Sequence, residues 1–264
     1  MVEHALYIPA GLLVGVLVGL TGVGGGSLMT PILVMLFGQA PAVAVGTDLV
    51  FAATTKLAAT ASFGYSRKVD WRIVGRLALG SLPAAAAVLW CLMLTGAQAG
   101  VTDQLVERSL SIMLIVTAVG LLAQAPLRRL GLKAAALWLK FVDRWTLGIT
   151  IAMGVLIGVA VTLTSVGAGA LGVVGLLYLY PLRLTADRLV ATDIAHALPL
   201  ALIAGLGHAS LGHLNLTVLA FLLLGSIPGV LIASRLAIRL PNAVVRRAIA
   251  VLLGGAGLRL LLVT

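Results

Sequence analysis

Eight long apolar runs, at about 6–38, 42–64, 73–96, 106–124, 147–180, 187–208, 214–237 and 244–263, take up nearly all of this 264-residue chain. So much apolar surface belongs in hydrocarbon, where no water is present to satisfy backbone N–H and C=O groups. Only helices and closed barrels meet that demand. A barrel would need short strands of alternating polarity, and the runs show no such alternation, so the chain reads as an all-α polytopic integral membrane protein. Composition agrees: 61% of residues are apolar, 10% are charged, and the mean hydropathy is +1.17. A soluble fold needs more polar surface than that. The net charge of +10 sits in short connectors, where it serves topology rather than nucleic acid.

The chain is also written twice. Leu20-Thr-Gly-Val-Gly-Gly-Gly-Ser27, Thr47-Asp48 and Gly80-Ser-Leu-Pro83 return as Leu163-Thr-Ser-Val-Gly-Ala-Gly-Ala170, Thr192-Asp193 and Gly225-Ser-Ile-Pro228. The division expected is a first repeat at 1–124, a basic amphipathic linker at 125–146 and a second repeat at 147–264. Charge orients the two. The connector after run two holds Arg67, Lys68, Arg72 and Arg76, whereas its counterpart, His208 to Leu214, has no Lys or Arg. Equivalent connectors with opposite bias predict inverted repeats.

Inversion needs an odd number of crossings per repeat. Run one, about 33 residues, would reach roughly 50 Å as one helix, too long for one crossing. Each repeat is therefore expected to open with a helical hairpin, broken at its glycines, followed by about three transmembrane helices. Re-entrant and fully spanning hairpins both fit the pattern.

Several residues in these motifs can carry chemistry. Gly24, Gly25, Gly26, Gly167 and Gly169 permit unwound backbone, and the half-helix that follows a break presents its positive end to an anion. Thr21, Ser27, Thr164 and Ser165 add hydroxyls. The opposing reading of the glycines is close helix packing. Asp48 and Asp193 lie in an apolar stretch just after a Thr, which fits either helix N-capping or proton coupling. Lys56, eight residues past Asp48, is too deep to reach water easily and predicts a partner: Asp48, Asp193 or a bound anion. His196 follows Asp193 by one turn and suits a proton relay or a structural role. His208 and His213, beside a connector, are expected at the interface. The Gly-Ser-x-Pro elements are expected to be helix kinks or packing notches. No Cys/His cluster or carboxylate ladder points to a metal, and no nucleotide motif points to a cofactor.

Gly19-Leu-Thr-Gly-Val-Gly-Gly-Gly-Ser-Leu-Met-Thr-Pro31 and Ala44-Val-Gly-Thr-Asp-Leu49, with the degenerate second copy, resemble the sulfite exporter TauE/SafE family of membrane permeases. The resemblance covers nearly the whole chain. It implies a multi-pass carrier in the cytoplasmic membrane that moves small sulfur-containing or organic anions, such as sulfite, sulfoacetate or other sulfonates, often outward. Asp48 stands where the family often has Ser. The expected function is a secondary transporter, not an enzyme. Its anion would lie at the breaks, on Thr21, Gly24, Gly25, Gly26, Ser27, Lys56, Thr164, Ser165, Gly167 and Gly169. Asp48, Asp193 or His196 would couple protons, and rocking of one repeat against the other would alternate access. The alternatives are a channel-like anion pore and a non-transporting membrane scaffold. Expected partners are the small anion and the lipid bilayer, with room for a homo-oligomer.

Overall fold

A computed structural model describes residues 5–21, 26–63, 68–95, 99–138, 142–167, 169–236 and 242–263. They form ten helices: α1 (Tyr7–Thr21), α2 (Gly26–Met35), α3 (Pro41–Phe63), α4 (Trp71–Thr95), α5 (Ala99–Trp138), α6 (Val142–Thr164), α7 (Ala170–Leu179), α8 (Ala186–Ser210), α9 (Leu216–Leu236) and α10 (Asn242–Val263). No strand occurs among the described residues. The first apolar run is divided between α1 and α2, and the fifth between α6 and α7. With ten residues each, α2 and α7 would rise only about 15 Å, half a bilayer core. Residues 125–138 prolong α5, and 142–146 open α6. Five helices are long and apolar enough to cross a membrane: α4, α5, α6, α8 and α9. Exposed Leu, Ile, Val and Trp cover their outer faces, as a lipid-facing surface requires.

The central helices α3 and α8 occupy equivalent places in the two repeats. They run antiparallel: Gly46 lies against His208 and His213, and further along α3 Leu49 and Val50 lie against Gly205. Two further seams cross between the repeats. α1 packs along α9, with Gly11 on Leu222 and Gly15 on Ser226; α6 packs along α4, with Gly154 on Leu77 and Gly158 on Ser81. In both seams the helices are parallel, and a methyl group at any of these glycines would strike a backbone carbonyl. Lipid supplies no hydrophobic drive between helices, so such backbone-to-backbone approach is what holds the seams together. Gly80-Ser81 and Gly225-Ser226 fall in these seams, which makes the Gly-Ser-x-Pro elements packing notches. Pro83 and Pro228 lie inside α4 and α9 without ending them.

Candidate functional site

Asp48 and Asp193 are each the eighth residue of their helix, α3 and α8. The expectation that they N-cap these helices is therefore corrected. What each carboxylate meets is the short half-helix in its own part of the chain. Asp48 Oδ2 accepts the backbone N–H of Thr30 in α2 at 3.1 Å, and also the Thr30 hydroxyl. Asp193 Oδ1 packs onto Gly172 in the first turn of α7, where any side chain would collide with it. Gly172 is in the first turn of α7, so Asp193 lies near the positive end of a helix dipole, whereas Asp48 meets α2 one turn further in, at its fifth residue.

Lys56 lies between the two acids. Because α3 and α8 are antiparallel, Asp48 and Asp193 sit toward opposite ends of the pair. Lys56, on α3, stands between the levels of the two acids along the pair. Exposure is 4% for Lys56, 0% for Asp48 and 2% for Asp193, so all three charges are removed from solvent. Asp193 is the stronger electrostatic partner of Lys56 and Asp48 the weaker, with no direct ion pair to either. Asp48 Oδ1 and Asp193 Oδ1 have no hydrogen-bond partner. Burying a charge is costly unless it is paired, so this cluster has unused capacity to bind protons or an ion.

The second break completes the wall. Ser165 is held at φ 58° and Gly167 at φ 115°, both in the left-handed region. For Ser165 that costs on the order of 1–2 kcal/mol, and such strain clusters at functional sites. The Ser165 hydroxyl approaches Asp48 without completing a hydrogen bond, and it is buried and unpartnered. Thr164, by contrast, spends its hydroxyl on the break itself, donating to the Ala160 carbonyl at 2.7 Å and accepting the Val166 N–H at 3.1 Å. The Gly167 carbonyl accepts the Leu171 N–H, and Gly169 is the N-cap of α7. Gly26 begins α2. Gly24, Gly25 and the side chains of Thr21 and Ser27 lie outside the described residues.

His196 Nε2 pairs with Ser81 Oγ of α4 at 2.8 Å, and its Nδ1 is unpartnered. The first repeat lacks this arrangement. Phe51 stands where His196 does, and Ser226, the counterpart of Ser81, keeps a buried hydroxyl without a partner.

The threonine before each acid has a separate task, which the sequence motif did not reveal. Thr192 Oγ1 accepts the Asp70 N–H at 3.1 Å, and Thr47 Oγ1 accepts the Asn215 N–H at 3.0 Å. Asp70 and Asn215 are the caps of α4 and α9: Asp70 Oδ1 accepts the Ile73 N–H and Asn215 Oδ1 the Val218 N–H. Asp70 carries more. Arg183 grips both its oxygens, at 2.7 and 3.0 Å, and Arg188 lies 3.7 Å away. Burial alone would raise the Asp70 carboxyl, but these guanidinium contacts outweigh it and hold it below the usual carboxylate value.

At the far end of α8, His208 is fully buried, bonded to the Thr162 carbonyl at 2.8 Å, and its Nδ1 lies 3.3 Å from that of His213. His208 is therefore packed inside the protein at the end of α8 rather than exposed on its surface. Burial lowers the His213 pKa, opposed by the nearby Asp103. Among the described residues no cluster of His, Cys, Asp and Glu is fit to hold a metal.

Comparison with known proteins agrees with this architecture. Residues 7–260 match the family described as sulfite exporter TauE/SafE. The chain is also 40% identical over 236 residues to the "Probable membrane transporter protein YjnA" of Bacillus subtilis (strain 168), covering 87% of this chain and 88% of that protein. No solved structure matches. The chain belongs to the sulfite exporter TauE/SafE family of membrane transporters and is a multi-pass membrane protein.

Proposed function

We propose that the chain is a secondary transporter of the cytoplasmic membrane. It moves small sulfur-containing or organic anions, such as sulfite or a sulfonate, outward and coupled to protons. One observation carries the reading: a buried Lys56, in no direct ion pair, lies between two buried carboxylates. An ammonium in a dry site is a strong attractor for an anion, and carboxyl groups beside it can take up and release protons. The antiparallel run of α3 and α8, with the matched α1/α9 and α4/α6 seams, supports an inverted repeat with its site at the midplane. Alternating access then exposes the same cluster to either side in turn.

The test is uptake into proteoliposomes of sulfite, sulfate, thiosulfate, sulfoacetate and acetate, with and without a pH gradient. Saturable, gradient-sensitive flux of one of these is expected, and Lys56→Met should reduce it by more than tenfold at normal expression. Unitary current steps in place of saturable turnover would make the protein a pore instead.

A further inference from the structure

We propose that the ion cluster of Asp70, Arg183 and Arg188 is the latch of a gate at one end of the molecule. It is shut in this structure and must part before cargo can pass between the buried cluster and that side. The inference rests on the transporter reading above and deepens it.

The latch spans the two halves of the chain. Asp70 caps α4 in the first, whereas Arg183 lies in the connector between α7 and α8, and Arg188 in the first turn of α8. Two Arg183 nitrogens hold the two Asp70 oxygens, at 2.7 and 3.0 Å, a fork that fixes orientation as well as distance. Beneath this rim a buried apolar plug seats the connector on α4, with Ile73 and Leu77 in one cluster with Leu176, Tyr180, Leu184 and Leu189. The Tyr180 hydroxyl pairs with Thr150 of α6 at 2.8 Å and accepts from Arg76 of α4 at 3.4 Å.

Latch and plug lie against the buried cluster. Thr192 Oγ1 accepts the Asp70 N–H and donates to the Arg188 carbonyl, so the latch is tied to the residue before Asp193. Five residues separate Arg188 from Asp193, roughly 7–8 Å along α8. Val173, next to the Gly172 on which Asp193 rests, belongs to the plug itself. Thr192 and Asp193 are both buried beneath it. A solute coming from this end therefore meets the latch first, the plug second and Asp193 third.

A permanent joint would need only the plug. Arg183 and Arg188 are 40% and 44% exposed, so their ion pairs add little to stability, and both guanidinium groups have water to turn to when the pairs part. Such a contact sets the register of closure at small cost to opening. The opposite end is fastened differently. The connector between α2 and α3, Leu36 to Ala40, contains no Lys or Arg and is tied to α1: Gln39 Nε2 donates to the Tyr7 hydroxyl at 3.2 Å, and Phe37 stacks on Tyr7. The cap of α9 is the neutral Asn215. Among the described residues the ion pairs of Asp70 have no counterpart there. Lys68, Arg72 and Arg76 assign the latched end to the cytoplasm.

The experiment places a reporter thiol, Val173→Cys in a Cys91→Ala background, beneath the latch of the full chain. A membrane-impermeant maleimide is added to one face at a time, using inside-out and right-side-out vesicles. Arg183→Gln should speed labelling from the cytoplasmic face at least tenfold and leave the outer face unchanged, which separates an opened latch from a loosened protein. Arg183→Lys, which keeps the charge and loses the fork, should fall between. In a second arm, Asp70→Cys and Arg183→Cys are bridged by a short bifunctional thiosulfonate. Saturable anion uptake should fall more than tenfold on bridging and return on reduction. Labelling that Arg183→Gln leaves unchanged or raises on both faces, or uptake that continues through the bridge, would overturn the inference and leave the cluster a static staple. A wild-type chain that takes up none of the anions would overturn the transporter reading instead, and the labelling contrast would still decide whether the latch governs access.

Discussion

Asp48 and Asp193 occupy the same position in two copies of one design, yet their surroundings differ. The first carboxylate is held by the amide and hydroxyl of Thr30. The second faces Gly172 and a lysine. At the matched positions of the repeated motifs, Phe51 stands where His196 does, and Ser226 lacks the partner that Ser81 has. The first carboxylate is tied to α2 by two hydrogen bonds, and the second rests on bare backbone of α7; each keeps one oxygen without a partner. Matched positions in a repeat establish matched places, and the neighbours decide the roles.

The largest effect expected is on coupling. Asp193→Asn and Asp48→Asn should each reduce the response of uptake to a pH gradient by more than tenfold, and Asp48→Asn should in addition reduce thermal stability. Equal stability of the two variants would erase the distinction. Next comes Thr30→Val. It strips a donor from a buried carboxylate and should destabilise the protein by about 1–3 kcal/mol, read by thermal unfolding in detergent. A Thr30→Val protein as stable as wild type would show that the bond matters little.

Smaller effects are expected at the two ends. Arg183→Gln breaks the grip on Asp70, but Arg183 is substantially exposed, so the cost should be about 1 kcal/mol or less. Thr192→Val and Thr47→Val should each free a helix cap of the opposite repeat. The loss should be larger on the Asp70 side, where the same cap also anchors two arginines. The smallest effect is in pH. Asp70 titrates below its ordinary 3.8 in the fold, so its contribution is complete above that value and disappears as pH falls through the lower, folded value. His213, also lowered, favours the neutral ring. Its contribution is complete above the ordinary 6.5 and is lost as pH falls below it. Hydrogen exchange followed from pH 7 downward should therefore loosen the start of α9 before the start of α4. The reverse order would refute the assignment.

Much of the helical framework was legible in the sequence, because one-dimensional signals carry it. Apolar run length fixes the helices, the glycines of Leu163 to Ala170 mark the break between α6 and α7, and repeated Gly-Ser-x-Pro marks the seams. The buried cluster was legible in part: Lys56, Asp48, Asp193 and His196 stand out because ionisable groups are rare in apolar runs. Their partners did not stand out. Thr30, Ser81, Asp70 and Gly172 are ordinary residues until the chain brings them against α3 and α8, across separations as long as the 122 residues between Asp70 and Thr192. The acids looked like caps of their own helices for a sound reason, since a carboxylate after a threonine near a helix start is a capping signal. The helices begin seven residues earlier, and Asp48 instead bonds Thr30, in the second turn of another helix.

The two glycine seams have a further consequence. Each repeat lends its first helix to the other, α1 to α9 and α6 to α4, like two clasped hands. The molecule therefore cannot separate into its N- and C-terminal portions without parting both seams. Any rigid-body motion of the molecule would have to move a composite body drawn from both ends of the polypeptide. A cut between Trp138 and Val142 would leave two fragments still fastened to one another, and separately produced fragments should find each other in the membrane and restore the whole.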